Sequence, residues 1–174
     1  INLMKTLKLF VVTTVLISPM MGSVLAQDYF LKNQAPFDTT IPSPETFLGY
    51  PIGAQHTRHD QIVTYLYKLA ELSDRASIKV YGKTHEQRKL VMLTVSSPAN
   101  LKNLSTIKAS HLQFVDPKQQ PTNYESVPIF IQLGYNVHGN EPSGAEAAML
   151  TAYTLVASTS LEVKKYIENA VIFI

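Results

Sequence analysis

One segment in the second half of the chain constrains the fold most strongly, because three different patterns follow one another in it. From Val127 to Tyr135 the residues alternate and then become continuously apolar, which predicts a buried β-strand. Residues 145–157 are rich in helix formers, and Pro142 suits the first turn of a helix. Between these elements lie Gly139 and Gly144, where we expect backbone conformations that other residues resist. The segment predicts a strand, a tight turn and a helix.

Two potential metal ligands, His138 and Glu141, lie in this turn. Open α/β sheets bind ligands at the carboxyl ends of their strands, which is where the turn is expected. Imidazole nitrogen and carboxylate oxygen both bind zinc, and catalytic zinc sites usually have three protein ligands and one position for water. The segment supplies two of the three. A spacing of three residues is weak support by itself, since an ordinary loop produces such a pair by coincidence.

The other candidates for this site have simpler interpretations. We expect His56 and His59, just before a predicted helix, to be solvated surface residues. His85 is expected in a turn and His111 in a weakly helical stretch, and we expect none of the four to be the third ligand. Glu146 lies little more than one helical turn after Glu141. We expect it to face solvent or to support the turn rather than to act as a general base.

Two blocks of the sequence resemble the zinc carboxypeptidases, the family of carboxypeptidase A. Residues Leu133 to Gly144 are similar to the first zinc motif of the family in a form typical of bacterial members. Residues Tyr81 to Leu90, with the apolar run after them, resemble its Gly-Arg-Ser-x-Glu-Gly-Arg-Pro turn and the following strand. The residues that depart from that turn are Lys83, Thr84, Gln87 and Lys89, which replace Arg, Ser, Gly and Pro. The resemblance extends from about Thr46 to Ile174.

The resemblance implies an α/β fold with a mixed sheet flanked by helices. It implies that His138 and Glu141 bind one Zn²⁺ ion and that Arg88 contacts a peptide substrate near the metal. In the family the third zinc ligand, the catalytic Glu and the residues that bind the substrate carboxylate come later, so we expect them beyond Ile174 and expect no catalytic residue here. The chain would then be an N-terminal fragment, incomplete at the C-terminus and inactive alone, of a metallocarboxypeptidase that removes C-terminal residues from peptides.

Two alternatives remain open. A zinc amide hydrolase of the aspartoacylase type shares a His-Gly-Asn-Glu turn, although the block from Gly82 to Ser97 favours the carboxypeptidase. The second alternative is a non-catalytic domain, either a decayed enzyme or a binding domain that retains the turn.

The N-terminus has the anatomy of a signal peptide. Lys5 and Lys8 precede an apolar core from Leu9 to Ile17, and small residues lead to Ala26, after which we predict cleavage. An uncleaved anchor is the alternative. Three residues precede Met4, so residues 1–26 form a signal peptide with an uncertain start. The sequence predicts a periplasmic or secreted protein that contacts a membrane only through this segment during export.

Composition excludes several functions. The chain has no cysteine, which excludes disulfides and thiol catalysis. It has 15 basic and 13 acidic residues, and removal of the signal peptide takes away two lysines, which leaves the mature chain neutral. A nucleic-acid partner would require a clustered excess of Lys and Arg, so we expect none.

The mature chain divides into two parts. Residues 27–51 contain four prolines and are expected to be an extended lead-in, since each proline disfavours helix at the preceding residue. The lead-in carries five aromatic residues that we expect to pin it to the domain surface: Tyr29, Phe30, Phe37, Phe47 and Tyr50. Residues 52–174 are expected to be the N-terminal part of the zinc carboxypeptidase-like domain.

The periodicity within that part predicts its other elements. An amphipathic helix is expected from Asp60 to Ser73 and a weaker one from Asn100 to Leu112. Strands are expected at Ser77–Tyr81 and Leu90–Val95, and a further buried strand begins at Ala170.

Overall fold

The computed structural model describes residues 26–119 and 123–174, so the expected signal peptide lies outside the described residues except for Ala26. The elements in chain order are α1 (Ala26–Leu31), α2 (Pro44–Leu48), α3 (His59–Leu72), β1 (Ala76–Lys83), β2 (Lys89–Val95), α4 (Pro98–Lys102), α5 (Leu104–Val115), β3 (Ile129–Gln132), α6 (Pro142–Ala157), α7 (Leu161–Asn169) and β4 (Ala170–Phe173). Helix α3 and strands β1 and β2 lie where the periodicity predicted them, whereas the single weak helix predicted from Asn100 to Leu112 is two helices, α4 and α5, that are separated at Asn103. Among the described residues, no helix is long and apolar enough to cross a membrane.

The four strands form one mixed sheet in the order β1-β2-β4-β3. Strands β1 and β2 form an antiparallel hairpin, β4 runs antiparallel to β2, and β3 runs parallel to β4. Parallel strands need a long crossover, which α6 and α7 supply between β3 and β4. The predicted α/β fold with a mixed sheet flanked by helices is confirmed.

Helices cover both faces of the sheet. On one face, Leu69 of α3, Leu93 of β2 and Met149 of α6 are fully buried in the main hydrophobic core. Ile131 of β3 also packs against that core. Its neighbour Phe130 must therefore point to the other face, where the imidazole of His111 in α5 stacks on it with ring centroids 4.1 Å apart. Burial of each of the core side chains Leu69, Leu93 and Met149 stabilises the fold by roughly 1.5–3 kcal/mol.

Strand β3 differs from the prediction. The pattern indicated a buried strand from Val127 to Tyr135, but β3 comprises only Ile129–Gln132, and Ile129 is 58% exposed. Among the described residues β3 pairs only with β4, so it is an edge strand with one side open. The apolar run thus predicted the strand correctly and its burial wrongly. The inner strands of the sheet are β2 and β4, and the first three residues of β4 are buried as expected.

The lead-in is more structured than its prolines indicated. Residues 27–51 contain α1 from its second residue and the whole of α2. Phe37 stacks on a tyrosine ring of α6, with centroids 4.9 Å apart, and Phe47 packs against a tyrosine ring of α3 at 5.1 Å. The expected anchoring by aromatic residues is therefore confirmed for these two. It is wrong for Tyr29 and Phe30, which are 63% and 58% exposed.

Candidate active site

The predicted turn between strand and helix is present, and its ends are the two candidate ligands. The backbone N–H of Glu141 donates to the carbonyl oxygen of His138 at 3.1 Å, which closes the turn. Helix α6 begins directly afterwards at Pro142, where a missing N–H leaves no helical hydrogen bond unmade. The side chains of His138 and Glu141 are both exposed, and the Glu141 carboxylate makes no capping hydrogen bond to α6. Both side chains are therefore accessible to a metal ion.

The glycines of this segment do not act as expected. Neither Gly139 nor Gly144 has a left-handed backbone, whereas Asn136, just before the turn, has φ of 58°. Asparagine tolerates this region better than most residues. Gly144 is required for a different reason: a Cβ there would lie 3.1 Å from the backbone nitrogen of Asn136. A Cβ on Gly139 would meet nothing within 4 Å. Gly144 thus permits close packing of α6 against the end of the strand.

The donor set partly fits a zinc ion. Imidazole and carboxylate are both usual zinc ligands, and a single turn carries them at one edge of the sheet. Across residues 26–119 and 123–174, no group of three or more His, Cys, Asp or Glu side chains is placed to hold a metal ion. The structure therefore brings His138 and Glu141 together through the turn and adds no third ligand to them.

The other histidines fall into three environments. His111 is a packing residue, whose Nε2 lies 2.8 Å from the carbonyl oxygen of Pro128. His85 is exposed in the turn between β1 and β2. His56 lies on the segment that leads into α3 and His59 is the first residue of α3, and both line a cavity beside the candidate metal turn. No sequence pattern indicated that these two histidines approach the turn.

This cavity has a volume of about 410 Å³ and is formed by four separate parts of the chain. The polar side chains on its wall are His56, Thr57, His59, Arg88, Tyr135, Asn136 and Asn140. Gly139 and Asn140, the two central residues of the turn, also belong to the wall, whereas His138 and Glu141 do not. The cavity therefore adjoins the candidate ligands without containing them.

Arg88 lies in the tight turn that joins β1 to β2. The carbonyl oxygen of Arg88 accepts a hydrogen bond from the Thr84 N–H at 2.8 Å, and the Arg88 N–H donates to the Thr84 hydroxyl at 3.1 Å. Gln87, in this turn, has φ of 64°. It occupies the position at which the resembled motif has glycine, so the structure gives the physical reason for that glycine. The Arg88 side chain reaches the cavity wall and pairs with Glu86 at 2.8 Å.

Glu146 is neither solvent-facing nor placed as a base at the turn. It is 6% exposed in α6, and its carboxylate accepts hydrogen bonds from three donors of the preceding loop. These donors are the Gly53 N–H at 3.0 Å, the Thr57 N–H at 3.2 Å and the Thr57 hydroxyl at 2.9 Å. Glu146 thus fixes the loop that carries His56. The one signal in the sequence was that Glu146 is the single charged residue of this helix.

The chain is an α/β protein with a mixed sheet, helices on both faces and a His-x-x-Glu turn between β3 and α6. The family model described as zinc carboxypeptidase matches residues 62–174, which is more than half of the chain. The chain belongs to the zinc carboxypeptidase family. A search of curated proteins found no match.

Proposed function

We propose that the chain supplies part of the active site of a zinc-dependent metallocarboxypeptidase that removes C-terminal residues from peptides. One observation carries this proposal: the turn that joins His138 and Glu141 exposes both side chains in the connection between β3 and α6. Family membership supports the hydrolase class, and the turn supports the zinc chemistry within it.

In this proposal, His138 and Glu141 hold one Zn²⁺ ion, and a third protein ligand comes from sequence after Ile174. Bound zinc would lower the pKa of a coordinated water and polarise the scissile carbonyl. Arg88 would orient the peptide by donating hydrogen bonds from its guanidinium, which suits bidentate contact with carboxylate or carbonyl oxygens. The 174-residue chain alone would bind zinc weakly and would not turn over peptides, because two ligands do not make a catalytic site.

Calorimetric titration with Zn²⁺ tests the metal site. We expect weak binding by the chain and its loss in His138→Ala and in Glu141→Gln. His85→Ala is the matched control, because His85 is also an exposed histidine in a turn but lies outside the candidate site. Zinc binding that survives both site substitutions, or that is lost equally in the control, would refute the assignment of the ligands.

Turnover tests the reaction in a protein extended beyond Ile174. We expect hydrolysis of a peptide with a free C-terminus and none of the same peptide with a C-terminal amide. Hydrolysis of N-acyl amino acids in preference to peptides would instead identify an aspartoacylase-type amide hydrolase. Zinc or peptide binding without any turnover would identify a non-catalytic binding domain.

We also propose that the protein is periplasmic or secreted, on the basis of the signal-peptide pattern that ends at Ala26. Expression with the native N-terminus, followed by mass measurement of the exported product, tests this. The expected product begins at Gln27. A product that keeps residues 4–26 would contradict cleavage.

A further inference from the structure

The wall of the cavity beside the candidate metal turn carries basic side chains. Three of its wall residues, His56, His59 and Arg88, carry nitrogen donors that are cationic or can become so. Asn136 and Asn140 add amide donors. Among the described residues, no Asp or Glu side chain lines the wall. The cavity is therefore suited to an anionic group that accepts hydrogen bonds.

Arg88 remains available to such a group despite its pairing with Glu86. The guanidinium and the carboxylate of this pair are 58% and 69% exposed. An exposed pair of this kind contributes little, because water screens both charges. A carboxylate in the cavity would accept hydrogen bonds from Arg88 and from two histidines. The Glu86 carboxylate is paired with Arg88 alone.

The histidine side of the cavity is held in place from beneath. The buried Glu146 carboxylate binds the backbone of Gly53 and both the backbone and the hydroxyl of Thr57. His56 lies between these two anchored residues, and His59 is the first residue of α3, two positions after Thr57. Glu146 is thus a positioning residue for this wall of the cavity, although it is not on the wall itself.

The cavity also lies beside the turn that carries the candidate zinc ligands. Gly139 and Asn140 line it, and they are the residues between His138 and Glu141 in the turn. A peptide group held at the turn would therefore have a neighbouring side chain within reach of the cavity. This relation links the anion-binding wall to the reaction site.

We propose that this cavity binds the carboxylate of an acidic side chain of the peptide substrate, through His56, His59 and Arg88. The inference rests on the proposed peptidase function for the identity of the ligand. It assigns a preference for Asp or Glu next to the scissile bond. A histidine N–H and a guanidinium both donate to carboxylate oxygens, and such charge-assisted bonds are the stronger class.

Peptide binding to the zinc-free chain tests this without reliance on turnover. The probes are two N-acetylated, C-amidated tripeptides that differ only in a central Glu or Gln, so neither has a terminal charge. We expect the Glu peptide to bind about tenfold more tightly, as a charge-assisted hydrogen bond implies. We expect added salt to reduce this difference in affinity between the two peptides, because the cavity is open to solvent.

Two matched pairs of variants locate the effect. Arg88→Gln is compared with Arg58→Gln, because each arginine is exposed and pairs with a neighbouring carboxylate at 2.8 Å, and only Arg88 lines the cavity. His59→Gln is compared with His85→Gln. We expect Arg88→Gln and His59→Gln each to reduce the preference for the Glu peptide severalfold, and the two controls to retain it.

Equal binding of the two peptides would overturn the proposal, as would a preference that survives the triple substitution of His56, His59 and Arg88 by Gln. Tight binding only of a Gln peptide with a free C-terminus would also overturn it, since the ligand would then be the terminal carboxylate. Zinc titration separates this failure from failure of the proposed function. A chain that binds zinc through His138 and Glu141 without discriminating the peptides refutes the cavity assignment alone.

Discussion

The backbone N–H of Glu141 donates a hydrogen bond to the carbonyl oxygen of His138 at 3.1 Å, so the two candidate zinc ligands are the first and last residues of a single closed turn. The backbone hydrogen bond of the turn therefore sets the distance between the backbones of these two residues. Pro142 then starts α6 and restricts the chain after Glu141. A metal ion would meet two donors whose backbone positions are already fixed, which reduces the ordering that binding requires.

Gly144→Ala is expected to disturb this turn. The new Cβ would lie 3.1 Å from the Asn136 backbone nitrogen, and a backbone neighbour that already has a left-handed conformation has little freedom to move. The gain of helix propensity opposes the clash, so we expect a net loss of about 1 kcal/mol in the free energy of unfolding. Urea denaturation measures it. Gly139→Ala is the control, because its Cβ would meet nothing, and an equal loss in both variants would contradict the packing argument.

Gln87→Gly is expected to stabilise the protein. Gln87 has φ of 64°, a conformation that costs a residue with a Cβ roughly 1–2 kcal/mol and costs glycine almost nothing. Part of this gain is offset by the greater freedom of glycine in the unfolded chain, so we expect a net gain of about 0.5–1 kcal/mol. The melting temperature should rise accordingly. His85→Gly, in the same turn without a left-handed backbone, should lower it, and a rise in both would argue against relief of strain.

Local patterns predicted those features that depend on neighbouring residues. The strand, turn and helix around His138 were predicted because apolar periodicity, glycine and proline each act over a few positions. The same locality explains why the sequence placed both candidate ligands in the turn between this strand and this helix. It also explains the error at β3: an apolar run indicates a strand but does not reveal whether that strand is central or at an edge.

The features that the sequence did not reveal depend on distant parts of the chain. Glu146 binds Gly53 and Thr57, which precede it by 93 and 89 residues. No periodic pattern relates positions so far apart. The cavity wall likewise combines His59 at the start of α3, Arg88 from the turn between β1 and β2, and Asn140 from the connection between β3 and α6. Only the packing of α3 against α6 and the sheet brings these residues to one place.

Asp60 is expected to titrate at unusually low pH. Hydrogen bonding from the Arg58 side chain lowers the pKa of Asp60 from 3.8 to about 2. Because the pKa is lower in the folded state, the stabilising contribution of this group is present above pH 4 and is lost as the pH falls from about 4 to about 2. Carboxyl-carbon NMR titration measures this pKa directly. Arg58→Gln should return it towards 3.8, and an unchanged value in that variant would show that Arg58 is not the cause.

Glu146→Ala is expected to be the most destabilising of these substitutions. It leaves three donors from Gly53 and Thr57 without their acceptor. The two donors of Thr57 are buried, and a buried donor that loses its partner costs about 1–3 kcal/mol. Because water can enter as the loop opens, we expect a loss of about 2–4 kcal/mol in the free energy of unfolding. Hydrogen exchange should accelerate at the Gly53 and Thr57 amides while the amides of β4 stay protected relative to global unfolding.

Two further variants distinguish the loss of the hydrogen bonds of Glu146 from the loss of a negative charge. Glu146→Gln keeps one acceptor oxygen but turns an amide NH₂ group towards the loop donors, so its loss should be intermediate. Glu71→Ala removes an exposed carboxylate that pairs with Lys68 at 3.0 Å and should change stability by less than about 0.5 kcal/mol. If Glu146→Ala were as mild as Glu71→Ala, the loop that carries His56 would not depend on this carboxylate. The wall of the cavity would then need another support, since Thr57 would have lost both of its bonds to α6 without consequence.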